Sequence, residues 1–218
     1  MAEWLNLFFN DFDLFFGGIW HNLALNGGGI FTPFFKLITL LGEKGIIFFA
    51  TAVVLMLFKP TRKTGVCIFG AVALGAIITN IILKDLVARP RPFNNAIYNG
   101  WWVTAGQSVE DGFSFPSGHI TACASASLAV VLSRGKKWLA PAIIVTALMC
   151  VSRVYLVAHY SSDALCACLV GGASAVGAFF ITKALFGLFE KHEDKKFFNF
   201  ILNFDIRNLF KKEEKSDV

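Results

Sequence analysis

The sequence predicts an all-α, polytopic membrane protein: a bundle of about five transmembrane helices with an interfacial helix at its N-terminal side. Three observations lead there. Hydrophobic residues make up 56% of the 218 positions and charged residues only 16%, against about 25% charged in ordinary soluble chains. Phenylalanine alone occurs 24 times, more apolar surface than a soluble domain of this length can bury. The apolar residues also gather in runs approaching the roughly 20 residues that cross a hydrocarbon core. Disordered, collagen-like and disulfide-scaffold chains are excluded by the same composition.

At the start, Leu5, Phe8, Phe9, Phe12, Phe15, Phe16, Ile19, Trp20 and Leu23 recur at helical spacing and form one apolar stripe. Asn6, Asn10, Asp11, Asp13, His21 and Asn22 lie off it, and two aspartates in mid-segment argue against spanning. Residues 1–29 are therefore expected to be an interfacial helix, the alternative being a tilted sixth span. Gly27, Gly28 and Gly29 are expected to break it before a short apolar helix from Phe31 to Leu41. Spans are expected at about 45–59, 64–83, 119–133, 138–151 and 164–187, within a catalytic unit covering 30–187. In the segment 188–218, Phe197, Phe198, Ile201, Leu202, Phe204, Ile206, Leu209 and Phe210 interleave with polar residues, which predicts a basic amphipathic tail helix on the membrane surface.

The net charge of +5 reflects topology rather than nucleic-acid binding. Thirteen Lys and Arg fall in the 59–63 and 134–137 gaps and the 191–218 tail, against six on the other side. By the positive-inside bias the first group is cytoplasmic. Loops 84–118 and 152–163 then share the extracytoplasmic face of a plasma membrane. Cys67, Cys123, Cys150, Cys166 and Cys168 all sit in apolar runs without a Cys-x-x-Cys pair, so disulfides and metal ligation are not expected. Glu3 and the lack of a basic leading segment argue against a cleavable signal peptide.

Three fragments on the expected outer face carry chemistry: Lys84 with Arg91-Pro92 six residues on, Pro116-Ser117-Gly118-His119, and Ser152-Arg153 followed by His159 and Asp163. Lys84, Arg91 and Arg153 are cations suited to a small group of oxygens. The Pro116–His119 fragment opens a helix, whose free N–H groups bind anions. His159 and Asp163, four residues apart, share a helix face if the last span begins just before them. A carboxylate bonded to one ring nitrogen leaves the other free to attack, while His119, from another helix, can protonate a leaving oxygen. Taken singly, each fragment is more often a headgroup anchor or a helix end. Ionisable residues gathered on one membrane face mark a functional site.

Together the fragments resemble the three-part signature of the type-2 phosphatidic acid phosphatase superfamily, with every motif position intact between residues 84 and 163. The resemblance implies that His159 forms a phosphohistidine, Asp163 orients it and His119 protonates the leaving group. It assigns Lys84, Arg91, Ser117, Gly118 and Arg153 to the phosphate, with no cofactor and no metal. Arg89 is a candidate for a second phosphate or a headgroup, or else a solvated loop residue.

Spans around an outer-face site favour a lipid phosphate whose tail stays in the bilayer, and Trp101 and Trp102 suit the headgroup zone. The compact build resembles small bacterial members that dephosphorylate undecaprenyl pyrophosphate, although some of these carry an acidic residue at the position of Gly118. Phosphatidylglycerophosphate or phosphatidate is the alternative substrate. The sequence leaves open which way Glu110 and Asp111 face. A transporter is disfavoured by the lack of an internal repeat, a silent lipid-binding scaffold by the intact histidines, and a haloperoxidase-like role by the spans.

Overall fold

The structure, a computed structural model, describes residues 1–209. Phe210 and the charged end 211–218, expected to continue the tail, lie outside the described residues. In chain order the helices are α1 (Ala2–Phe8), α2 (Asn10–Leu41), α3 (Ile46–Met56), α4 (Arg62–Ala76), α5 (Lys84–Val87), α6 (Ala96–Thr104), α7 (Gly118–Arg134), α8 (Leu139–Tyr155), α9 (Ser161–Lys191) and α10 (Lys196–Asn203). A π-helical turn, Ile77–Leu83, joins α4 to α5.

Helices α4, α7 and α9 pack at the centre, and small residues let them. Ala71, Ala122, Ala126, Ala129, Ala175 and Ala178 are buried between them. A Cβ on Gly171 would come 2.8 Å from the carbonyl of Thr121, and one on Gly75 would come 2.8 Å from Ser125 Oγ. Lipid supplies no hydrophobic drive for helix association, so close backbone approach and dispersion do that work. Leu169, Phe180, Ile181 and Leu188 cover the outer surface of α9 and are exposed.

By length and apolarity, Asn10–Met56, Arg62–Asn94, Lys136–Tyr155 and Ser161–Lys191 are each able to cross a membrane. Helix α7 also runs from one end of the bundle to the other. It carries Ser and Thr because it faces protein: Thr121 and Ser125 are buried and donate to the Ala167 and Gly171 carbonyls at 3.5 and 3.2 Å.

Helix α2 takes a different course. Near its start Asp13 accepts from the Ser162 backbone, and near its end Thr39 reaches Ser152 at 3.3 Å. Between them Gly17 and His21 meet Trp101, and Thr32 bonds the Tyr155 hydroxyl at 2.8 Å. All these partners belong to the end where α6, the last turn of α8 and the first turn of α9 meet. Thus α2 lies across that end of the bundle.

The glycine run does break the segment: Gly27 leaves helical geometry (φ −144°, ψ 17°) and kinks α2, and a second helical stretch then runs through Pro33 to Leu41. Packing of Phe31 and Phe35 against the bundle seats that second stretch. Asp13 is buried rather than on an open polar face.

At the opposite end Arg62 clasps α10. Its guanidinium donates to the Met56, Ile201 and Leu202 carbonyls at 3.0, 2.6 and 3.1 Å and to that of Phe204. A cation thereby satisfies carbonyls left free at a helix C-terminus. Arg134 joins this end by donating to the Pro60 carbonyl.

Candidate active site

Beneath α2, a cavity of about 350 Å³ opens where the Gly42–Gly45 turn, the π turn, loop 105–117 and the starts of α7 and α9 converge. Lys84, Arg91, Gly118, His119 and His159 line it. Residues 75 positions apart in sequence therefore share one space. Phe49, Val72, Ala76 and Ala122 make its remaining wall apolar.

His159 is buried, in the short link between α8 and α9. Its Nδ1 lies 2.7 Å from the Ser114 carbonyl, which only accepts, so Nδ1 carries the proton. Nε2 is then the nitrogen with the free lone pair, 3.4 Å from Arg91 Nη1. Burial first, then the charges of Arg153, Arg91 and His119, holds the imidazole well below its usual range, so it is neutral at pH 7.

Asp163 does not bond the ring directly, contrary to the sequence expectation: Oδ2 is 3.8 Å from Nδ1. That oxygen instead takes the Ser114 hydroxyl and the Tyr160 backbone N–H at 3.0 Å, capping α9. Asp163 thus fixes Ser114, and Ser114 fixes His159. Ser114 was not singled out in the sequence, because a serine two residues before a Pro-Ser-Gly-His fragment carries no signal of its own.

Arg91 is anchored by backbone. It donates to the Gly112, Ala158 and Asp111 carbonyls at 3.0, 3.0 and 2.6 Å, leaving its charge without a bonded carboxylate. Arg153, fully buried just behind the cavity, sits 2.6 Å from Glu110. Glu110 also lies 3.9 Å from Arg91, so its carboxylate faces the site and occupies the cation cluster. Burial alone would raise the Glu110 pKa, but Arg153, with His119 and Arg91, outweighs it and lowers it.

Two of the expected phosphate or headgroup candidates lie outside the cavity lining. Ser117 is buried and its Oγ accepts from Ile120 N at 3.5 Å at the start of α7. Helix starts need such an acceptor. Arg89 is 1% exposed and points away from the cavity. It pairs with Asp13 at 2.9 Å and Asp163 at 2.6 Å, bonds Ser162 and Asn6, and stacks on Tyr160. Buried carboxylates need a partner charge, and Arg89 supplies it to both.

Three further lining residues were missed. Asn80 faces Gly118, where a Cβ would come 3.1 Å from its Oδ1. A lone Asn within Ile-Ile-Thr-Asn-Ile-Ile-Leu is costly in a span, and that cost was the available signal. Glu43 Oε2 lies 3.4 Å from His119 Nε2, and Lys44 lines the cavity beside it. Their signal was a charged pair between two glycines.

Two histidines, one at the start of α7 and one in the α8–α9 link, the latter neutral with its free nitrogen beside Arg91, make an arrangement suited to phosphoryl transfer. Residues 64–186, more than half of the chain, match the family model of the PAP2 superfamily. The chain belongs to the PAP2 superfamily. An undecaprenyl-diphosphatase of Sulfolobus acidocaldarius is 29% identical over 117 residues, which are 54% of this chain and 54% of the relative. The chain therefore spans about half the length of the curated relative it matches.

Two crystal structures share the PAP2 fold with this chain. Aquifex aeolicus LpxE aligns with a TM-score of 0.55 at 22% identity, covering 74% of this chain and 92% of that one. The first transmembrane PAP2-type phosphatidylglycerolphosphate phosphatase from Bacillus subtilis aligns with a TM-score of 0.52 at 22% identity, covering 90% and 100%.

Proposed function

We propose that this protein is a membrane lipid phosphatase that works through a phosphohistidine on His159 and acts on a polyprenyl diphosphate such as undecaprenyl pyrophosphate. The observation that carries the mechanism is the Ser114–His159 contact, which makes Nε2 the only ring nitrogen able to attack. Nε2 bonds to phosphorus as the ester or anhydride P–O bond breaks, and His119 gives its proton to the departing oxygen. Lys84, Arg91 and Arg153 balance the charge on the transferring phosphoryl oxygens. A water, giving its proton back to His119, then splits the P–N bond and releases phosphate. Glu43 Oε2 lies 3.4 Å from His119 Nε2 and holds that ring at the cavity wall.

The lipid part of the reading is supported by the mixed wall of the cavity, cationic at one end and apolar at Phe49, Val72, Ala76 and Ala122. The relative named as an undecaprenyl-diphosphatase favours the polyprenyl diphosphate. Lys59, Arg62, Lys63 and Arg134 gather at the end of the bundle away from the site, and the positive-inside bias supports an extracytoplasmic site end. A Gly100→Cys variant labelled only after the cells are opened would invert that orientation.

The deciding experiment is phosphate release by detergent-purified protein in EDTA, beside His159→Ala. The panel is undecaprenyl pyrophosphate, phosphatidylglycerophosphate, phosphatidate and glucose 6-phosphate. Preference for the pyrophosphate, with no turnover by the variant, is the expected result. Preference for a glycerolipid would overturn the substrate, and substantial activity in His159→Ala would overturn the mechanism. EDTA is expected to leave the rate unchanged, since among the described residues no three His, Cys, Asp or Glu side chains come together as a metal site.

A further inference from the structure

We propose that the Gly42–Gly45 turn is a second-phosphate subsite, in which the Lys44 ammonium holds the leaving, ester-bearing phosphate of a diphosphate ester whose terminal phosphoryl group passes to His159. The inference deepens, and rests on, the phosphatase reading above. An in-line displacement places the leaving group opposite the nucleophile. His159 stands on the side of the cavity built by Arg91 and Ser114, and His119 is the acid for the leaving oxygen. Beyond His119 comes Glu43, 3.4 Å from its Nε2, and then Lys44 on the cavity wall. Whatever continues from the leaving oxygen therefore meets the 42–45 turn.

Lys44 suits a phosphate there for three reasons. It has no ion-pair or hydrogen-bond partner among the described residues, whereas the neighbouring Glu43 carboxylate is engaged with His119. Its backbone is left-handed at φ 50°, which a non-glycine residue adopts at a cost. Gly45 follows at φ 69°, and its Cα packs so that a Cβ would touch Ala122 and Val72 at 3.4 and 3.5 Å, which seats the turn against the bundle core. The turn is thus a fixed mount for one cation at the cavity rim. Arg89, the candidate suggested by sequence, has both nearby carboxylates to satisfy and does not reach this space.

The test is calorimetric titration of the full, detergent-solubilised chain with methylenediphosphonate and with methylphosphonate, in wild type, Lys44→Gln and Lys44→Glu. The ratio of diphosphonate to monophosphonate affinity is expected to fall about fivefold in Lys44→Gln and further in Lys44→Glu, the worth of one partly exposed charge-assisted contact. A ratio within about twofold of wild type in both variants overturns the subsite. If the Gln side chain disturbs the turn, Lys44→Asn, which tolerates a left-handed backbone, carries the same comparison. Turnover separates this inference from the one beneath it. Wild type that is inactive on every lipid phosphate, yet shows the ratio change, removes the phosphatase reading and keeps the subsite. Active wild type with an unchanged ratio does the reverse.

Discussion

Asp13 and Arg89 form a buried ion pair at 2.9 Å across 76 positions of sequence. The pair ties the helix lying across the bundle end to the loop that carries Arg91. Because Arg89 also holds Asp163 at 2.6 Å, the N-terminal helix and the support of His159 share one guanidinium.

Removing one partner of such a pair leaves a buried charge uncompensated and costs about 3–5 kcal/mol. Asp13→Ala is expected to lower the thermal midpoint in detergent clearly. Arg89→Met, which strands two carboxylates, is expected to lower it further. The double variant should lose less than the sum of the singles, as coupled residues do. An Asp13→Ala protein as stable as wild type would show that the pair does not support the fold.

Ser114 is a positioning residue, since its carbonyl orients His159 while its hydroxyl is held by Asp163. Ser114→Ala keeps the carbonyl but releases its tether. A fall of about tenfold in kcat with little change in KM is expected, as for loss of a contact that orients the reacting group. A rise in KM at constant kcat would instead assign Ser114 to substrate binding.

Glu110 occupies the cation cluster, 2.6 Å from Arg153, and it stays ionised at neutral pH. Under the proposed function a substrate phosphate displaces it. Glu110→Gln is therefore expected to bind vanadate and phosphate about three- to tenfold more tightly, read as a lower inhibition constant. Weaker binding would mean that Glu110 organises the cations more than it competes for them.

The pH profile follows from His159. Burial and the neighbouring cations depress its pKa, so the neutral, attacking form is retained as pH falls through 6.5. The acid limb of kcat/KM should lie below 6.5, and Arg91→Met, which removes one depressing charge, should move it upward. The unfolded chain binds more protons in that window, so this group's contribution to stability is present above 6.5 and is lost on acidification. An acid limb that moves downward in Arg91→Met would contradict the assignment.

The legible part of the site was the part written as spacing. Lys84, Arg91, His119, Arg153 and His159 meet at one cavity or directly behind it, as motif and span counting require. Ser114 was not legible, because it matters through contacts with residues remote in sequence, and Asn80, Glu43 and Lys44 left only the weak signals of a polar residue in a span and a charged pair between glycines.

Sequence by itself determined the membrane class, the places of the crossing helices and the histidine pair. Hydropathy and helical period act locally, and motif residues keep their spacing in any conformation. Tertiary structure alone decided that Asp13 is an ion-pair partner, that Arg89 serves carboxylates rather than phosphate, and that Asp163 works through Ser114. Those outcomes depend on which charges are buried together, and burial is a property of the packed bundle.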